Sequence, residues 1–132
     1  MAQNITLGYK QLCDEADAQV TSKEVSEIIP RLDDEDVVLV DIRDVRELNR
    51  DGRIPGAMHA PRGMLEFWID PASPYHRDIF AQDKTFVFIC AGGMRSLLAT
   101  KTAQDMGLKP AVNLAGGFAA WRDAGGPIEK KD

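Results

Sequence analysis

Two uninterrupted apolar runs, Val37-Val38-Leu39-Val40 and Phe86-Val87-Phe88-Ile89, stand out from the more polar chain around them. Runs this short, rich in β-branched and aromatic residues, are the pattern of strands covered on both faces, as in parallel sheets. Ala111-Val112-Asn113 reads as another short strand, and Val20 as part of a short first one. Between them the apolar positions change to helical spacing. Residues 5–19 are rich in Ala, Leu, Glu, Asp and Gln, with Leu7, Leu12 and Ala16 on one face. Thr21-x-x-Glu24 reads as a capping box opening a helix through Val25, Ile28, Ile29 and Leu32, which Pro30 ends or kinks. Asp44-x-x-Glu47 is a second capping signal, with Gly52 as the stop. Residues 53–80 are broken by Pro55-Gly56, Pro61-Arg62-Gly63 and Asp70-Pro71-Ala72-Ser73-Pro74, leaving room for short helical turns at Met64–Ile69 and Tyr75–Ala81. Leu98, Ala99, Thr102, Ala103 and Met106 mark a further helix closed by Gly107, and Phe118–Asp123 a last one after the Gly116-Gly117 turn.

Strands alternating with helices predict an α/β domain with a mostly parallel sheet. Ligands in such sheets bind beyond the carboxyl ends of the strands, which is where Asp41 and Cys90 fall. If the two apolar strands are neighbours, Asp41 and Arg43 lie near Cys90.

The 132 residues suit one domain with a real core. A net charge of −5 with no block of Lys or Arg argues against a nucleic-acid partner; the one basic pair near an end is Lys130-Lys131. No apolar stretch is long enough to span a bilayer, and Met1-Ala2-Gln3-Asn4 does not open a secretion signal, so a cytoplasmic protein is expected. Two cysteines, Cys13 and Cys90, are not a disulfide framework, and the isolated His59 and His76 give no zinc spacing. Cys13 reads as an incidental thiol.

Candidate chemistry concentrates in Cys90-Ala91-Gly92-Gly93-Met94-Arg95-Ser96, between a buried strand and a helix. Here a thiolate meets a helix N-terminus, and if the loop curls around the sulfur, the N–H groups of residues 91–95 form an anion nest. Gly92 and Gly93 permit the positive-φ conformations such a nest uses. Arg95 adds a positive charge at the rim. An exposed Cys90 thiolate is expected to oxidise easily. The competing reading of Cys90 is a buried core cysteine.

At this point the chain resembles a single-domain rhodanese. Cys90-Ala91-Gly92-Gly93-Met94-Arg95-Ser96 is similar to that family's active-site loop, and Asp41-Ile42-Arg43-Asp44 to its Asp-x-Arg element. Gly52-Arg53-Ile54-Pro55-Gly56-Ala57-Met58-His59-Ala60-Pro61 is similar to its Gly-His-Ile-Pro-Gly-Ala signature, with Arg53 at the histidine position. Asn113-Leu114-Ala115-Gly116-Gly117-Phe118, with Trp121, Gly125 and Pro127, is similar to the C-terminal signature. The resemblance implies a three-layer fold, a mostly parallel five-stranded sheet flanked by helices, as residues 18–128. Residues 1–17 form an N-terminal helical extension and residues 129–132 a tail. It also implies sulfur transfer. Cys90 takes a sulfane sulfur from a donor such as thiosulfate or a persulfide, and the Cys90 persulfide passes it to cyanide, a thiol or a protein acceptor. No metal or organic cofactor takes part. The loop residues Ala91 to Ser96 bind the anion, while Asp41 and Arg43 support the site, Arg43 either facing substrate or solvated. Many members carry a basic residue after the cysteine; Ala91 removes that cation and puts thiosulfate as the donor in question.

Alternative functions are a persulfide carrier, a non-catalytic binding module and a cysteine phosphatase. Tyrosine and dual-specificity phosphatases place five residues between cysteine and arginine, whereas four separate Cys90 from Arg95. A monomer or a homodimer is expected, with the N-terminal helix as a candidate interface.

Overall fold

A computed structural model describes residues 2–130. Lys131 of the basic terminal pair lies outside the described residues. Five strands, β1 (Thr21–Lys23), β2 (Val37–Asp41), β3 (Met58–His59), β4 (Thr85–Ile89) and β5 (Ala111–Leu114), form one sheet in the order β1-β5-β4-β2-β3. Every pairing within it is parallel. β4 is central, and its side chains alternate between two apolar layers, as the period of two requires. Phe86 and Phe88 join Val40, Leu65, Ile69, Phe80, Ala99 and Ala103 on one face. Val87 and Ile89 join Leu39, Val112, Ile28, Ile54, Phe118 and Trp121 on the other. Each large apolar side chain sealed in these layers contributes about 1.5–3 kcal/mol.

The helices are α1 (Tyr9–Gln19), α2 (Val25–Ile28), α3 (Val45–Asp51), α4 (Leu65–Ile69), α5 (Met94–Asp105) and α6 (Gly117–Asp123). Short 3-10 turns follow α2 at Ile29–Arg31, where Pro30 tightens the chain, precede α4 at Arg62–Met64, and precede β4 at Asp78–Ala81. No helix among the described residues is long and apolar enough to cross a membrane.

Several expectations are corrected. Thr21 does not cap a helix: it pairs with Val112 in β1, and the capping box is Glu24 with Glu27. Val20 lies outside the first strand, capping the end of α1. That helix runs through Gln19, two residues beyond the 17/18 division, and docks on α5 through fully buried Ala16. Leu7 and Leu12 remain exposed, at 43% and 38%. Glu129, placed in a tail, exchanges backbone hydrogen bonds of 2.9 Å with Arg53. That contact brings Ile128 against Gly52, where an added Cβ would sit 2.7 Å from Ile128 Cγ2.

Candidate active site

β2 and β4 run side by side, with Asp41 opposite Ile89, and both end at the same edge of the sheet. Cys90 follows directly after β4. The chain turns through Gly93, whose φ of 99° is the left-handed conformation glycine favours, and enters α5 at Met94. Gly92 does not adopt positive φ and has open space beside it, so only one of the two loop glycines meets that conformational need.

The loop does curl around the sulfur, with fewer donors than a full nest. Cys90 Sγ accepts from the Gly93 N–H at 3.0 Å and from the Ser96 N–H at 3.4 Å, and lies 3.3 Å from the Ser96 hydroxyl. The sulfur is not the exposed thiolate the loop predicted: Cys90 is 1% exposed, set into the floor of the site because the loop closes over it. Ser96 Oγ donates to Asn113 Oδ1 at 2.5 Å, and Asn113 Nδ2 donates to Ser22 Oγ at 3.2 Å. A polar chain therefore runs from buried Cys90, Ser96 and Asn113 across β5 to exposed Ser22 on β1. The Ser96 hydroxyl accepts from a thiol in this arrangement and donates to a thiolate when it rotates.

The turn after β5 braces the loop from below. The first N–H groups of α6 donate to it, Phe118 to Cys90 O at 2.8 Å and Ala119 to Ala91 O at 3.0 Å. The approach is so close that a Cβ on Gly117 (φ 60°) would lie 2.5 Å from Cys90 O.

Asp41 and Arg43 complete this foundation. Arg43 neither faces the site as a free cation nor meets solvent; its side chain is 1% exposed. Its Nε donates to both Asp41 oxygens at 3.1 and 3.2 Å, and NH2 donates to Asp41 Oδ2 at 2.8 Å and to Gly52 O at 2.9 Å. The guanidinium lies 4.2 Å from the centre of the Phe118 ring, and His59 Nε2 reaches Arg43 O at 2.6 Å. Burial is tolerable because the planar fork has a matched carboxylate, a carbonyl and an aromatic face.

Arg95 is also paired. NH1 and NH2 donate to Glu47 Oε2 and Oε1 at 3.0 and 2.9 Å. The Arg95 hydrogen bonds hold the Glu47 carboxyl below its usual range, and the bond to Glu47 raises Arg95 further from neutrality. Sequence reasoning took Glu47 only as a helix cap and missed this pairing. It likewise read Asn113 as a strand residue and part of the C-terminal signature without a partner, although a polar side chain inside Ala111-Val112-Asn113-Leu114 signals a buried partner.

A parallel five-stranded α/β sheet that presents a cysteine loop beyond its central strand defines a class of thiol-centred proteins. Comparison with known proteins narrows it: residues 24–124 match the rhodanese-like domain, and the chain belongs to that family. A sulfurtransferase of Allochromatium vinosum is 34% identical over 96 residues, covering 73% of this chain and 81% of that protein. Human thiosulfate:glutathione sulfurtransferase is 33% identical over 89 residues, covering 63% and 76%. A solved structure from Rhodopseudomonas palustris superposes with a TM-score of 0.95 at 59% identity, covering 98% of this chain and 99% of that one. It is described as a protein of unknown function and possible tyrosine phosphatase.

Proposed function

We propose that this chain is a sulfurtransferase that carries sulfane sulfur as a Cys90 persulfide. The observation that carries the reading is the convergence of the Gly93 N–H and the Ser96 N–H on one sulfur at a strand end, with the Ser96 hydroxyl 3.3 Å away. Such donors stabilise a sulfur anion, whether thiolate or persulfide. The thiolate attacks the outer sulfur of the donor, the donor S–S bond breaks, and the leaving group departs with the bonding pair. The persulfide then yields its terminal sulfur to a thiol, to cyanide or to a protein thiol, restoring the Cys90 thiolate. Sulfur moves between sulfurs, so the reaction calls for no metal or organic cofactor. Gly93, Met94, Arg95 and Ser96 form the loop around the sulfur with Ala91 and Gly92, and Asp41 and Arg43 support it from the end of β2. The sulfurtransferase names of the relatives support the reaction class, and the human relative's name supports a small thiol as acceptor. The reducing cytoplasm is the compartment that keeps the two unpaired cysteines as thiols.

A phosphatase reading draws on the description of the Rhodopseudomonas structure. Two features favour sulfur over phosphate: the loop holds four residues between cysteine and arginine, and that arginine is bound to Glu47. Parallel assays separate the two. Thiocyanate formation from a sulfane donor and cyanide, lost in Cys90→Ser, is the expected result. Hydrolysis of an aryl phosphate, lost in the same variant and unaccompanied by thiocyanate formation, would replace this reading with the phosphatase one.

A further inference from the structure

The Cys90–Ser96 loop carries one formal charge, on Arg95, and the fold places a counter-charge against it. Glu47 takes both terminal nitrogens of the guanidinium, at 2.9 and 3.0 Å. The carboxylate is the anchored partner: its Oε2 also accepts the Asp44 N–H at 2.9 Å, closing the capping box of α3, and its side chain is 19% exposed against 47% for Arg95. Neighbouring arginines are matched in the same way, Arg43 with Asp41, Arg46 with Asp44 and Arg50 with Asp51. Ala91 adds no cation beside the cysteine. Met94 and Val45, which flank this ion pair in sequence, are exposed and apolar.

We propose that Glu47 is a specificity-determining residue. By binding Arg95 it makes Cys90 load from sulfane donors whose leaving group carries little negative charge, in preference to dianionic donors such as thiosulfate. The inference rests on the sulfur-transfer reading of Cys90. In the loading step the Cys90 thiolate forms a new S–S bond to the outer sulfur as the donor's own bond to that sulfur breaks. Thiosulfate then releases sulfite, a dianion, and leaves an anionic persulfide. Methanethiosulfonate releases methanesulfinate, a monoanion, and leaves the same persulfide. The two donors share the sulfonyl–sulfur bond and differ by a methyl group in place of one anionic oxygen. Each must approach a negative sulfur, and a cation already balanced by Glu47 offsets little of the extra repulsion on the dianion.

The test measures the rate of persulfide formation on the full chain, by rapid quench and intact mass, with each of the two donors. Glu47→Gln keeps an acceptor for the Asp44 N–H and removes the charge; Glu47→Ala removes it by a second route. The thiosulfate-to-methanethiosulfonate rate ratio is expected to rise about tenfold in both, the order expected of one uncompensated charge near the reacting sulfur. It is expected to return to within about twofold of the starting value in Glu47→Gln/Arg95→Gln, where that charge is gone. A ratio unmoved by the loss of Glu47, or a rise that persists without Arg95, overturns the proposal. Failure of the unaltered chain to gain sulfur from either donor overturns instead the sulfur-transfer reading beneath it.

Discussion

At the scale of single residues, chemistry in this site depends on which polar groups are buried and what they face. Arg43 shows the limit of reading charge from sequence. Arginine is usually exposed, and nothing local in Asp41-Ile42-Arg43-Asp44 shows that Phe118, a residue far along the chain, covers it. Cys90 and Ser96 were legible because strand, glycines and helix surround them in sequence. Asn113 and Glu47 were not, because their partners arrive through the fold. Arg43→Met leaves the Asp41 carboxylate buried without its counter-charge and is expected to cost about 3–5 kcal/mol, measured by urea unfolding. Ser96→Ala removes the hydroxyl beside the sulfur and leaves Asn113 Oδ1 without the donor it has now. It is expected to cost about 1–3 kcal/mol of stability and to slow persulfide formation about tenfold, read by the same unfolding titration and by quenched-flow mass analysis.

At the scale of elements, the site is a meeting of three strand-to-helix connections, those leading into α3, α5 and α6. Gly117 lets the α6 start approach Cys90, whereas Gly92 faces open space. Gly117→Ala is therefore expected to lose more than about 1 kcal/mol and the bond from Phe118 N to Cys90 O. Gly92→Ala is expected to stay within about 0.5 kcal/mol of the parent in thermal unfolding. The α3 start was legible: Asp44 and Glu47 form the capping box their spacing announces. Thr21 and Glu24 share that spacing, yet the pairing of Thr21–Lys23 with β5 overrides it and moves the cap to Glu24. The Arg95–Glu47 bridge also gives α3 a pH signature. Because folding holds the Glu47 carboxyl below its ordinary range, the bridge stabilises fully above that range and is lost as pH falls through the lowered folded value. The unaltered chain should thus exceed Glu47→Gln in melting temperature near neutrality, and the difference should shrink on acidification.

At the scale of the whole molecule, the parallel sheet was legible because β2 and β4 are continuous apolar runs sealed between two helical layers. β3 was not: two residues, Met58 and His59, in a stretch broken by proline and glycine leave no periodicity to read. The N-terminal helix was foreseen as an element, and its seat on α5 through Ala16 follows from packing alone. Ala16→Asp places a charge in that seat and is expected to expose residues 2–19 to limited proteolysis while the rest of the domain stays resistant. The fold sets one sulfur beside two N–H donors and a hydroxyl at the carboxyl edge of the sheet. The most direct test is the intact mass of the chain after incubation with a panel of sulfane donors, with Cys90→Ser alongside. The account predicts a gain of about 32 Da, one sulfur atom, that maps to Cys90, is removed by cyanide or dithiothreitol, and is absent from the variant. An unchanged mass with every donor, or a gain that survives in Cys90→Ser, would contradict it.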